Sequence, residues 1–223
     1  MSTFPPLTQN LDPILFDGQA TPPVDASTAR GDWTAMLPVL KGRGLMLREL
    51  EVGDAESLMS MLTTAEVAKF ISPPPTSPQG FEKFIQLVHR ERRAGQQFTF
   101  GIVPDGCERA VGLVQVRAIA PKFAVGEWGF ALGSSFWGTG IFLNSARMTL
   151  DFAFADARVK RLEARAIVQN GRGNGALRKL GAVQEGILRG SLVKDGTHFD
   201  QMVWSIGSQD WLQAKVVWSS VLH

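Results

Sequence analysis

The chain predicts an α/β (α+β) fold: a mixed, largely antiparallel sheet with one central parallel crossover and flanking helices. Three observations predict it. The elements read in the order strand, two or three helices, three strands, helix, strand, short helix, hairpin. Two Asp-Gly pairs, Asp105-Gly106 and Asp195-Gly196, each stand between strand-like segments and signal tight hairpins. The stretch Val125 to Asp156 opens with the alternation of a strand and closes with the spacing of a helix, and a further strand follows it.

In order, residues 1–31 are rich in Pro, Thr, Ser, Asp and Gly and read as a flexible or draped extension, with Ile14, Leu15 and Phe16 as a tether. The folded domain is expected over residues 32–211 and a tail over 212–223. Trp33 to Leu40 packs on the domain, and Gly42 and Gly44 then punctuate a strand, Leu45 to Leu50. Asp54 is the expected N-cap of a helix through Leu62, with Leu58, Met61 and Leu62 inward, and Val67 to Ile71 is a short turn. Pro73-Pro74-Pro75 ends that region. Ser77-Pro78 opens a helix to about Ala94 with Pro at its first position, a stripe of Phe81, Phe84, Ile85 and Val88, and Gly95 at its close. Phe98 to Val103 and Val111 to Ile119 pair around Asp105-Gly106, with Cys107 near the exposed tip.

In the central stretch Trp128, Phe130 and Leu132 alternate with Glu127, Gly129 and Ala131; then Ile141, Ser145, Met148 and Phe152 recur at helical spacing. Arg161 to Val168 is a strand, Ala176 to Leu180 a short helix stopped by Gly181, and Val183 to Leu192 with His198 to Ile206 a hairpin. Gln209 to Val221 is an amphipathic or draped tail.

Composition narrows the function. With 223 residues, 44% of them hydrophobic and 20% charged, the chain has enough apolar surface for a sizeable core. A net charge of +2, with no basic run denser than Arg90 to Arg93, argues against a nucleic-acid partner. Cys107 is the single cysteine, so no internal disulfide forms, and a free thiol fits a reducing compartment. Three scattered histidines (His89, His198 and His223) and that cysteine make no metal set. His89 reads as solvated beside Arg90, and His198 as a structural or groove-lining residue. No signal-peptide core and no apolar run of about 18 residues is present, so the expectation is a cytoplasmic protein without a membrane partner.

Between the central strand and helix lies Trp137-Gly138-Thr139-Gly140, with no carboxylate from Gly133 to Leu150. A glycine-containing turn feeding a helix N-terminus presents free N–H groups and the positive end of a dipole, which suits phosphate oxygens. A second turn, Gly171-x-Gly173-x-x-Ala176, formally meets the dinucleotide fingerprint. Only a short helix and a hairpin follow it, however, and Asp195 falls in the hairpin turn, so the serial βαβ units of a dinucleotide fold are missing.

Taken together, these segments resemble the GNAT-type N-acetyltransferases, in particular the branch of ribosomal-protein N-terminal (alanine/serine) acetyltransferases. The resemblance runs from about Leu37 to Trp211. It is carried by Gly44-Leu45-Met46-Leu47-Arg48-Glu49-Leu50 with Asp54, by Trp137-Gly138-Thr139-Gly140, and by Arg161-Leu162-Glu163-Ala164. Asn170, Arg178-Lys179-Leu180-Gly181-Ala182, Glu185-Gly186, Asp195-Gly196 and Asp200 complete it. It implies that the strands Val125 to Leu132 and Arg161 to Val168 are parallel neighbours that splay apart, with acetyl-CoA entering the split. Pantetheine would bond along Phe130, Ala131 and Leu132. The pyrophosphate would lie on the N–H groups from Gly138 through Thr139, Gly140 and Ile141 to Phe142, beside Trp137, and Asn170 and Asn174 would face the cofactor from the second strand. No metal is implied. The acceptor would be an amine on a protein N-terminus or a small molecule, with self-association left open.

The chain departs from the family pattern at three places. The pyrophosphate pattern runs Gln or Arg, two residues, Gly, one residue, Gly or Ala; here Trp137, Gly140 and Phe142 fill those positions, and Phe142 either enters the core or crowds the cofactor. Gly173 stands where a Ser is common. The chain has no tyrosine, and Leu177 occupies the place of the usual acid. The chemistry needs a neutral amine and a polarised carbonyl. A backbone N–H near Ala131 or Leu132 suits the second role. Glu127 is the candidate base, acting through water, or else a strand carboxylate paired with a basic neighbour. An α-amine is ~10% neutral at pH 7 against less than ~0.1% for lysine, so it needs less help. Two rival readings stay open: a non-catalytic acyl-CoA-binding or interaction module, and a small-molecule (antibiotic or amino-acid) acetyltransferase.

Overall fold

The computed structural model describes residues 32–194 and 196–220. The expected extension 1–31, Asp195 and His223 therefore lie outside the described residues. Trp33 and Leu37 are buried, as their hydrophobicity requires. The chain then forms β1 (Leu40–Gly42) and β2 (Leu45–Glu49), a hairpin turned by Gly44 at φ +79°. Three residues offer too little alternation to read, so the sequence does not reveal β1. One helical turn, Val52–Asp54, leads into α1 (Ala55–Leu62), and a short α2 (Ala65–Ala68) stands where a turn is expected. In α3 (Pro78–Arg93) the Ser77 hydroxyl accepts from the Gly80 N–H at 3.1 Å.

Three strands follow: β3 (Gln97–Pro104), β4 (Gly112–Ala118) and β5 (Val125–Leu132). Next come α4 (Ile141–Ala155), β6 (Arg161–Ile167) and α5 (Gly171–Lys179). The hairpin of β7 (Val183–Lys194) and β8 (Thr197–Gly207) precedes α6 (Ser208–Ser220). α5 starts at Gly171, ahead of the expected Ala176. Its three glycines argue against helix, but the Asn170 side chain accepts from the Gly173 N–H at 2.9 Å and fixes the first turn. Of the expected tail, residues 212–220 are helical, as part of α6. Trp211 anchors it, buried, with its indole N–H on Asp151 at 2.8 Å. Cys107, expected at an exposed tip, is half-buried against the core. No described helix is long and apolar enough to cross a membrane.

The eight strands lie in the order β1-β2-β3-β4-β5-β6-β8-β7, and β5–β6 is the parallel pair. One face carries α4 over Leu47, Phe98, Phe100, Val114, Val116 and Trp128. The other carries α1 and α3 over Leu113 and Ala131. The alternation along β5 thus sends Trp128 and Leu132 toward α4, and Glu127, Gly129 and Ala131 to the opposite face.

One ion pair locks the first helix to the sheet. The Arg48 guanidinium donates to both oxygens of Asp54, at 2.7 and 2.8 Å, and the Asp54 carboxylate also accepts from the N–H groups of Glu51 at 2.8 Å and Ala110 at 3.0 Å. Asp54 is fully buried. It holds the expected N-cap position of α1, but its side chain serves as a cross-chain clamp and makes no cap bond to that helix. Burial pushes its pKa up, but Arg48 and the two backbone donors outweigh burial and hold the carboxyl below the usual aspartate range. Asp54→Asn breaks a buried pair while leaving Arg48 behind, so urea unfolding at pH 7 should show a loss of ~3 kcal/mol or more. Because the folded pKa is depressed, that contribution is present above the unfolded value and disappears as pH falls through the folded one. The gap between wild type and variant should therefore narrow in acid, below the ordinary aspartate pKa.

Candidate active site

The parallel pairing of β5 with β6 covers only Val125↔Arg161, Gly126↔Leu162 and Glu127↔Glu163. Beyond it each strand follows its own half of the sheet. β5 stays on β4 to Leu132, and β6 stays on β8 to Ile167. The ladder also shows which groups are left free. Ile119 N–H bonds Val125 C=O, and Gly133 N–H bonds Val111 C=O. Antiparallel pairing alternates, so odd-numbered β5 residues, Ala131 among them, turn their backbone groups to β4. Trp128, Phe130 and Leu132 turn theirs into the gap.

Two neighbouring cavities with shared wall residues fill the gap. The larger, about 730 Å³, is lined by Phe130, Ala131, Leu132, Trp137, Gly138, Gly140, Phe142 and Leu143, by Asn170 to Gly173 with Gly175, Ala176 and Lys179, and by Glu66 to Ile71 except Ala68. The smaller, about 80 Å³, is lined by Glu127, Gly129, Arg165, Leu177, Leu192, Gln201 and Ser72. Phe70, Ile71, Phe130, Asn170 and Gly173 belong to both walls.

The larger cavity combines an open glycine turn at its rim with a long, mainly apolar wall. α4 begins at its rim. Gly138 and Gly140 hold φ +79° and +87°, and a Cβ at either would meet nothing within 4 Å, so the backbone there is open to a ligand. Thr139 is exposed and donates its hydroxyl to Phe136 C=O at 2.7 Å; the same oxygen lies 3.5 Å from Ile141 N. Neither Thr139 nor Ile141 lines either of these two cavities. The N–H groups of Phe142 and Leu143 stand in the unpaired first turn of the helix. Phe142 leans on Phe130, with ring centroids 4.1 Å apart, and so forms cavity wall without filling it. Trp137 donates its indole N–H to Leu132 C=O at 2.9 Å, occupying one of the gap-facing carbonyls.

The two asparagines part company. Asn170 lines both cavities while capping α5. Asn174 is buried and lines neither. Its amide donates to Ile167 C=O at 3.0 Å and Asn170 C=O at 2.9 Å, and its oxygen accepts from the Trp204 indole at 2.9 Å. It ties the end of β6 to α5 and β8.

Glu127 sits in the wall of the smaller cavity, 5% exposed. Arg117 Nη2 lies 3.2 Å from one oxygen and Arg165 Nε 3.5 Å from the other. Burial pushes its pKa above the usual glutamate range; Arg165 and Arg117 oppose the shift, and neighbouring Glu163 adds to it. Leu177, also on this wall, is buried. Lys194 of β7 donates to Ala68 C=O and to Ile71 C=O, the latter at 3.2 Å, and so pins the end of α2 against the hairpin at the rim of this cavity. His198 is exposed and lines neither cavity; its Nδ1 is 3.3 Å from Gly190 C=O. His89 bonds Leu50 C=O at 2.8 Å, far from the gap in the sheet.

Several lining residues escape a reading of the sequence. Phe70-Ile71-Ser72 carries one cue, two apolar residues held against a triple proline. Arg165, Gln201, Arg172 and Lys179 carry none, because their relevance comes from strand and helix pairing.

The family model for the acetyltransferase (GNAT) domain matches residues 44–183. The chain is 24% identical over 177 residues to the uncharacterized N-acetyltransferase YoaA of Bacillus subtilis (strain 168), covering 77% of this chain and 97% of that protein. Its fold is similar to the ribosomal-protein-S5-alanine acetyltransferase from Vibrio fischeri, with TM-score 0.70 and 22% identity over 78% of this chain and 98% of the other. It is also similar to the microcin C7 self-immunity acetyltransferase MccE, solved in complex with acetyl-CoA and AMP, with TM-score 0.67 and 20% identity over 74% and 92%.

The Asn174 network makes a direct demand. Asn174→Ala strands the buried Trp204 indole N–H, while Ile167 C=O and Asn170 C=O keep the backbone N–H groups of Asn170 and Asn174, so urea unfolding should show a loss of ~2 kcal/mol.

Proposed function

The chain belongs to the GNAT acetyltransferase family, and from that membership we propose that it transfers acetyl from acetyl-CoA to a primary amine by direct attack in a ternary complex. The observation that carries the reading is the divergence of β5 and β6 after Glu127 and Glu163, which opens one continuous gap with an anion-attracting end and a smaller polar end. Acetyl-CoA supplies the activated thioester. The gap-facing backbone of Phe130 and Leu132 suits the pantetheine arm and a polarised carbonyl. The open turn at Gly138 and Gly140 with the first N–H groups of α4 suits the pyrophosphate.

The amine would enter from the smaller cavity. Glu127 takes its proton. A volume of about 80 Å³ has room for bridging water, and the raised pKa makes the carboxylate a better base than an ordinary glutamate. With no tyrosine in the chain and Leu177 on the wall, the leaving thiolate draws its proton from water. A thiol pKa of about 8.5 makes that a modest demand. The acceptor carries its amine on a protein N-terminus or a small molecule. Two guanidiniums already offset Glu127, so the cavity lacks the acidic surplus that would select a polycation.

Two measurements test the proposal. CoA should raise the melting temperature, because it binds the native state alone. Gly140→Asp should abolish the shift by putting a carboxylate against the pyrophosphate. Gly140→Asn, which tolerates the same positive φ without charge, should keep most of it. An equal shift in the Asp variant would move the phosphate site elsewhere. For the base, Glu127→Gln should lower kcat ~10²-fold with little change in CoA affinity. The wild-type rate should fall in acid as pH drops through the raised pKa of Glu127, and the variant should lack that limb. Wild-type turnover in Glu127→Gln at every pH would reduce Glu127 to a strand carboxylate.

A further inference from the structure

Among the described residues none of the three cations lining the larger cavity is paired with a carboxylate, and one of them, Arg172, rests on an aromatic ring. Arg172 stands in the first turn of α5 and lines the cavity. Its guanidinium carbon lies 4.4 Å from the centroid of the Trp137 ring, and among the described residues that ring is its only partner. The ring is a fixed platform, held by its indole bond to Leu132 and packed against both core clusters. Arg172 therefore bridges the gap, joining the helix after β6 to the turn after β5.

Arg172 is exposed and keeps its charge in water, but its surroundings favour an anion beside it. Arg172 sits at the positive end of α5 and faces the positive end of α4 across the cavity. Lys69 and Lys179 add charge to the lining, and Glu66 is its one carboxylate. A guanidinium on an aromatic face is still free at its N–H edge, the edge that grips a phosphate through two parallel bonds.

We propose that Arg172 is the pyrophosphate ligand of the cofactor, stored on the Trp137 ring and closing the gap over the bound diphosphate. This rests on the larger cavity being the CoA site, and it adds a specificity-determining residue to that site. The consequence is discrimination: the protein would favour acyl thioesters that carry a diphosphate over those that end at pantetheine.

The test is a calorimetric titration of wild type, Arg172→Gln and Arg172→Lys with CoA, dephospho-CoA and pantetheine. Arg172→Gln should weaken CoA and dephospho-CoA alike, roughly tenfold or more, and leave pantetheine unchanged. Arg172→Lys should recover part of the loss, since it keeps the charge without the fork. The loss in Arg172→Gln should appear in KM for acetyl-CoA more than in kcat. A loss for CoA but not for dephospho-CoA would assign Arg172 to the 3′-phosphate and overturn the proposal, as would unchanged affinity in Arg172→Gln. Failure of the wild type itself to bind CoA would instead overturn the reading of the cavity.

Discussion

The structure depends on how a sheet can be opened in its middle without leaving its backbone groups stranded. Buried N–H and C=O groups need partners, and β5 loses β6 after Glu127. Each strand keeps its other neighbour in full register, so the two half-sheets remain rigid while the gap widens. Side chains and turns quiet the carbonyls on either arm. Trp137 covers Leu132 on the β5 side, and on the β6 side Ile167 C=O accepts both the Asn170 N–H and the Asn174 amide. The remaining gap-facing groups of Phe130 and Leu132 are left for a ligand.

The same topology explains the charge of the gap. Parallel strands end at the same edge of the sheet, and here the next helix after each strand begins at that edge. α4 after β5 and α5 after β6 must therefore point their N-termini into one place. Ligands of α/β sheets collect at such carboxyl ends of strands for this reason. The first half of α4 has no acidic residue to cancel the field, and α5 brings Arg172 and Lys179. On the far side of the sheet Arg48 and Asp54 hold α1 against β2 and the start of β4, which gives the opening a stiff wall.

The fold was legible where one residue pattern had one meaning. The alternation of Glu127 to Leu132, the stripe of α3 and the Asp105-Gly106 turn are local signals, and the elements stand where those signals put them. The start of α5 was hidden because its glycines disguise a helix that Asn170 caps. Asp54 was legible as a structural residue but not as the partner of Arg48, since the bond depends on how strand and helix fold back on each other. In the site, the turn at Gly138 to Gly140 could be read directly. Asn174 could not be told from Asn170 by spacing alone: one faces the gap and the other the core, a distinction set by the helix rotation between them. Arg165 and Arg172 belong to the site only because β6 and α5 border the gap.

Glu127 had two readings, base or paired strand carboxylate, and its surroundings contain the ingredients of both. Two arginines fix its orientation, and taken alone they would make it a weaker base. Burial works against them and prevails, so the carboxyl holds a proton more readily than an exposed glutamate. Without Arg117 and Arg165 the group would be an uncompensated buried charge, which proteins avoid by taking up a proton and so losing the base. Without burial it would be a solvated carboxylate with little affinity for the proton of an amine. A residue that must stay ionised, stay oriented and still accept a proton needs both influences at once. The cross-strand positions of Arg117 and Arg165 around Glu127 supply one, and the closed floor of the gap supplies the other.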